Sequence, residues 1–371
     1  MRIAACAFVI SLAVTSSCSS TPTKPATVAL PDSGKTYFPG DQWRTLAPRG
    51  VGFDEDRLST LRSDMAHGKY GTLHGVLIVR YGFLVFEQYE NWSRDQLHTM
   101  QSVTKSVTSL LVGIANKAHP TELDLDRPVL GIFTRYASIA NVDDRKRALT
   151  LRNLITMRTS MDFWEQPYPG SPLDQLNQST GDWVKFVLDR SMIGAPGTDW
   201  AYNSGAAILM GGVLREVSGE NVDVFAQREL FTPIGIRSVA WARSPFDGLP
   251  HCGGGLGLRA IDLARIGYLV LRRGKWGDVE LVPSEWIDAS THVDSHGPPL
   301  FFSAFGSSYG YFWWLFPHQR GGSDAEVITA SGSGGQWLFV VPSMDLVVAV
   351  IAQDGDGLDL LYDGVLTAIT N

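Results

Sequence analysis

Apolar positions change period twice along this chain. Residues 75–80 and 83–87 are β-branched and aromatic runs on either side of Tyr81-Gly82, which predicts a tight β-hairpin. Ahead of it, 54–65 has helical spacing with Asp54 placed as N-cap. From about 99 to 293 the pattern is mainly helical, with Val103, Val107, Leu110, Leu111 and Ile114 on one face. Further helices are predicted at 182–188, 206–217, 222–230, 261–271 and 283–289. Strand character returns at 311–316, 337–341 and 346–352, and an amphipathic helix closes the chain at 358–369. Strands at both ends around a helical middle predict an α+β fold: one sheet built from the N- and C-terminal segments, with a mainly helical region inserted. The boundaries expected are 46–98 and 297–371 for the sheet part and 99–296 for the helical part.

Composition changes this picture little. At 371 residues, 44% hydrophobic and 19% charged, the chain can bury a large core. A net charge of −7 gives no electrostatic argument for nucleic acid. The N-terminus adds more. Arg2 is the only charge in 1–17, the stretch 3–14 is mostly apolar but too short to span a bilayer, and Thr15-Ser16-Ser17 precede Cys18. This reads as an export signal ending in something close to a lipoprotein box, with Thr15 where Leu or Val is usual. Residues 18–45 then read as a lipidated or flexible tether, and the protein as periplasmic or anchored to a bacterial envelope through Cys18. Once Cys6 leaves with the signal and Cys18 is lipidated, Cys252 stands alone, so no disulfide framework is implied. No Cys-x-x-Cys is present, and His292 and His296 precede Gly297-Pro298-Pro299, so neither a metal nor another cofactor is expected.

Three constellations could carry chemistry. Ser102-Val103-Thr104-Lys105 opens an apolar helical run, so hydroxyl and amine stand one turn apart on one face. A lysine forced out of water can lose its charge and take the serine proton. Tyr202-Asn203-Ser204 follows the turn Ala195-Pro196-Gly197; a phenol against an ammonium has its phenolate favoured. Ser331-Gly332-Ser333-Gly334-Gly335-Gln336 precedes the strand at 337–341, where glycines let backbone amides approach a substrate carbonyl. Trp164, in a segment with few helix signals, is the candidate wall of an acyl site.

Taken in order, these motifs resemble the serine β-lactamase-like hydrolases: class C β-lactamases, D,D-peptidases, certain carboxylesterases and 6-aminohexanoate-dimer hydrolases. Leu123 to Pro128, and Gly253-Gly254-Gly255-Leu256 before Asp262-Leu263-Ala264-Arg265, are similar too. The resemblance implies an antiparallel sheet flanked by helices, and an acyl-enzyme formed on Ser102 with Lys105 and Tyr202 moving the proton. It also implies an oxyanion held by the amides of Ser102 and Gln336, with Ser333, Gly335 and Ser204 beside the substrate.

Two departures bear on that substrate. Penicillin-recognising members carry Asn where this chain has Ser204, and Lys where it has Ser333, so a charge-assisted contact to a drug carboxylate is missing. Arg320 is the residue that could compensate. The departures favour an ester or amide over a β-lactam or peptidoglycan; slow acylation without turnover, as in a sensor protein, is the non-enzyme alternative. Gly306-Ser307-Ser308-Tyr309-Gly310 matches a nucleophile elbow, but a strand-like run follows it instead of the helix such an elbow needs.

Overall fold

In the computed structural model, which describes residues 36–296, 306–322, 324 and 326–370, the predicted first helix and hairpin are present. Helix α1 (Glu55–Ala66) is capped by the Asp54 carboxylate, which accepts from the amides of Asp56 and Arg57 at 2.9 and 3.1 Å. Strands β1 (Gly71–Arg80) and β2 (Phe83–Tyr89) meet at Tyr81 and Gly82, both left-handed at φ 52° and 85°, the geometry whose twist suits a two-residue hairpin. There follow β3 (His98–Thr99), α2 (Val103–Ala118), α3 (Asp144–Arg147), α4 (Leu151–Ile155), α5 (Pro172–Gln178), α6 (Trp183–Leu188), α7 (Ser204–Ser218) and α8 (Val222–Ala226). Next come β4 (Ala240–Trp241), β5 (Leu256–Leu258), α9 (Ala260–Leu271), β6 (Lys275–Trp276), β7 (Val279–Glu280) and α10 (Ser284–Ser290). The last strands are β8 (Ser295–His296), β9 (Ser308–Tyr309), β10 (Trp314–Phe316), β11 (Val327–Gly332), β12 (Gln336–Val341) and β13 (Leu346–Gly355).

Among the described residues the main sheet is antiparallel with order β2-β1-β13-β12-β11-β10-β9-β8, so the N-terminal hairpin joins the C-terminal strands where β1 pairs with β13. Helix α9 lies on one face of β12 and β13, and α1 with the C-terminal helical turns lies on the other, because adjacent side chains of a strand point to opposite faces. Leu338 meets Gly267 of α9, whereas Trp337 meets Gly357. Helix α2 is enclosed by α7, α10, β11 and β12, and every residue from Val103 to Ala115 is buried. A small second sheet, β3-β5-β4, ties the chain before α2 to the chain before α9.

Several expectations need correction. Residues 1–35, with the export signal, Cys18 and most of the tether, lie outside the described residues. From Tyr37 on, the expected tether is already docked: Trp43 is buried, Tyr268 donates to Tyr37 O at 2.5 Å and Arg265 to Gly40 O at 2.7 Å. Helix α9 and strand β8, placed by sequence in the helical part, belong to the sheet layer. The strand expected at 311–316 begins only at Trp314, because Phe312 is left-handed at φ 61° and its amide donates to Ile155 O at the end of α4. The closing helix is split into Gly357–Asp359, a wider turn Leu360–Val365 and a tight one Leu366–Ala368.

Candidate active site

Ser102 stands at the head of α2, partly exposed, on a segment fixed from both sides. The Met100 amide donates to Leu256 O at 2.8 Å, and Thr104 Oγ1 donates to Gln101 O at 2.6 Å while accepting from the Leu256 amide at 3.2 Å. Gln101 is left-handed at φ 46°, a conformation costing a non-glycine residue about 1–3 kcal/mol that persists only where surroundings impose it. It turns the chain sharply into the helix and leaves the Ser102 hydroxyl at the open end.

One turn on, Lys105 is buried among the neighbours of α2. Its Nζ donates to Ser102 Oγ at 3.0 Å and to Gly253 O at 2.7 Å, and lies 4.7 Å from the centroid of the Tyr202 ring. Burial draws its ammonium down to about 8, with the nearby Glu165 carboxylate offsetting part of the fall. The lysine therefore holds the serine oxygen and can become neutral near physiological pH.

Tyr202 shares a hydrogen bond with Ser102, which places the third predicted residue in the same cluster. Its protonation differs from the sequence expectation. Burial dominates over the adjacent cation and pushes the phenol well above its ordinary range. The cause is an aromatic box: Trp314 stacks on Tyr202 at 5.9 Å and 17°, and Trp200 and Tyr309 close it at 6.3 and 6.5 Å. Tyr309 comes from the Gly-x-Ser-x-Gly match, so that segment serves as a wall of this site, on β9.

Glu165 is the residue that sequence reasoning missed. It sits in the irregular loop after Met161, half-buried, and its carboxylate accepts from the Ser204 amide at the first position of α7. Its charge bears on Lys105, Tyr202 and Tyr309 alike. Ser204 itself is 2% exposed, with its main chain committed to Glu165. Asn203 caps α7 by accepting from the Ala206 amide at 3.1 Å and donates to Thr159 at 3.1 Å, which fixes Tyr202 just before the helix. Trp164, next to Glu165, is 43% exposed.

The β11–β12 hairpin forms the opposite side. Strand β10 pairs with β11 only from Val327 to Thr329, and Gly332 packs so closely on Met100 and Gln101 that a Cβ there would collide with Met100 O. Ser333 is exposed at the hairpin tip. Gln336 and Gly335 face the other way. The Gln336 carboxamide donates to Ala352 O at 2.7 Å and accepts from the Ala352 amide at 3.1 Å, and Gly335, at φ 87°, is pressed against Gly355. Arg320 does not supply the missing cation. It pairs with Asp359 at 2.7 Å and Asp363 at 3.1 Å on the C-terminal segment.

Behind Lys105 lies His251, buried with no hydrogen-bond partner on either ring nitrogen; burial first, then the lysine, draws it down to about 4. Burial also pushes the neighbouring Cys252 thiol up to about 12. Among the described residues no group of three His, Cys, Asp or Glu could hold a metal.

An antiparallel sheet with a serine, lysine and tyrosine gathered at the head of a buried helix defines the class of β-lactamase-like serine hydrolases. The chain belongs to the beta-lactamase family, whose model matches residues 71–368. It is 23% identical over 314 residues to the 6-aminohexanoate-dimer hydrolase of Paenarthrobacter ureafaciens, covering 80% of this chain and 77% of that one. Its fold is similar to an octameric penicillin-binding protein homologue from Pyrococcus abyssi (TM-score 0.66, 19% identity, 83% of this chain and 77% of that one). It is also similar to a D-stereospecific amidohydrolase from Streptomyces sp. (TM-score 0.64, 15% identity, 85% and 99%).

Proposed function

We propose that this chain cleaves an ester or amide through an acyl-Ser102 intermediate, as a carboxylesterase or an amidase like the 6-aminohexanoate-dimer hydrolase it is similar to. The observation that carries the reading is the contact of 3.0 Å between Lys105 Nζ and Ser102 Oγ at a buried amine drawn down to about 8. Neutral Lys105 accepts the hydroxyl proton as Oγ bonds to the substrate carbonyl carbon. The oxyanion is held by the Ser102 amide and an amide of the β11–β12 hairpin, each such donor being worth about 2.7–4 kcal/mol in the transition state. As the carbonyl–leaving-group bond breaks, the proton passes from Lys105 to the departing oxygen or nitrogen, with the Tyr202 hydroxyl as relay. Water then attacks the acyl ester, its proton goes to the relay, and Ser102 regains its hydrogen. A buried, neutral Tyr202 suits relaying better than initiating, so Lys105 takes the role of base.

Ser333 carries no charge and Arg320 is paired with Asp359 and Asp363, so neither offers a cation to a drug carboxylate, which favours esters and amides over β-lactams. A panel of short-chain p-nitrophenyl esters, linear amide dimers, nitrocefin and D-Ala-D-Ala peptides tests this. Steady turnover of the first two supports the reading; preference for nitrocefin or the peptide overturns it, and a stoichiometric burst without turnover identifies a slow-acylating sensor. The export pattern before Cys18 would put the activity in the bacterial envelope; radiolabelled palmitate incorporation lost in Cys18→Ser would support that tether.

A further inference from the structure

Glu165 is a carboxylate inside a cluster whose proton transfers run through Ser102, Lys105 and Tyr202 without it. We propose that Glu165 is a positioning residue of the proton relay, a fixed negative charge that fastens the start of α7, and with it Tyr202, against Ser102 and Lys105. The inference rests on the reading of Ser102, Lys105 and Tyr202 as that relay.

The Glu165 carboxylate accepts from the Ser204 amide, two residues beyond Tyr202 and at the positive end of a helix of 15 residues. Its loop is anchored just ahead of it: Phe163 packs against Gly205 in the first turn of α7, and Met161 bridges to Met192. The carboxylate is thus held by the scaffold instead of swinging in solvent. The other titratable groups facing Lys105 are His251 from the loop before β5, and Tyr202 with Tyr309 behind it. His251 and both phenols are neutral near pH 7, so among the described residues Glu165 is the negative group that acts on the lysine amine. A negative charge there favours the ammonium that Lys105 becomes after taking the serine proton. It also disfavours ionisation of Tyr202, keeping a proton on the relay.

Glu165→Gln keeps an oxygen for the Ser204 amide and removes the charge. The test is the pH dependence of the second-order rate of Ser102 labelling by a fluorophosphonate, in the wild-type chain, Glu165→Gln and Glu165→Asp. Losing the charge removes support for the ammonium, so the limb along which labelling rises should move to lower pH by about one unit in Glu165→Gln. Glu165→Asp should keep the wild-type limb. A Glu165→Gln profile with the wild-type limb, whether at full or uniformly lowered rate, overturns the proposal and leaves Glu165 a helix cap. Wild-type chain that does not label at Ser102 would instead overturn the relay itself, so the two failures are distinguishable.

Discussion

Two lysines of this molecule are shut away from solvent, and they do different things. Lys105 and Lys146 are each 1% exposed, and each donates to two oxygens. For Lys146 these are the carbonyls of Ala140 and Leu188, at 2.7 and 2.8 Å, and its ammonium is lowered by burial while Asp189 and Asp143 work the other way. For Lys105 one acceptor is the Gly253 carbonyl and the other is the hydroxyl of Ser102. A carbonyl can only accept a hydrogen bond from the ammonium; a hydroxyl can also give its proton to the neutral amine and become a nucleophile. Burial alone therefore does not mark a catalytic lysine. What marks it is an acceptor that can react, at the open end of an otherwise enclosed helix.

The same substitution at both lysines should have opposite consequences. Lys105→Met should lower kcat/KM by roughly 10²–10⁴-fold, the scale of a lost general base, with far-ultraviolet circular dichroism unchanged. Lys146→Met should leave kcat within about twofold, yet lower stability to urea by about 1–3 kcal/mol by leaving two carbonyls without a donor. Equal kinetic loss at both positions would mean that the buried charge matters to folding alone. Next in size is pH. Below about 8 Lys105 is protonated and cannot take the serine proton, so kcat/KM should rise with pH and level off above that value, falling about tenfold per unit on the acid side. Tyr202→Phe keeps the aromatic box and removes the hydroxyl, so turnover should drop by about 10²-fold without loss of stability. The smallest effect is expected at Arg320. Its partners are exposed, so Arg320→Ala should cost at most about 1 kcal/mol and leave KM for a carboxylate-bearing substrate unchanged.

The legible parts of this protein were those with a strong period or a short motif. Asp54 announced its helix, Tyr81-Gly82 its turn, and the apolar spacing after Ser102 the helix that carries the serine and lysine. Strand β11 was not recognised because Thr329, Ala330, Ser331 and Gly332 are small, and their burial is supplied by neighbouring strands. Glu165 lies in a loop without any period, and only the packing of Phe163 under α7 brings it to the Ser204 amide. The charge state of Tyr202 is set by Trp314 and Tyr309, more than a hundred residues further along the chain, so local sequence could suggest the phenolate and not the box that suppresses it. Gln336 shows a division the motif alone does not reveal: its backbone amide is the expected oxyanion donor, while its side chain is spent on Ala352 of β13.

The central claim is that Ser102 carries the acyl group. Mixing the protein with a short-chain p-nitrophenyl ester, quenching in acid within the burst and mapping peptides by mass spectrometry tests it directly. One acyl mass per chain is expected on the peptide containing Ser102, and none in Ser102→Ala. An equal adduct in Ser102→Ala, or one on a peptide elsewhere in the chain, would contradict it.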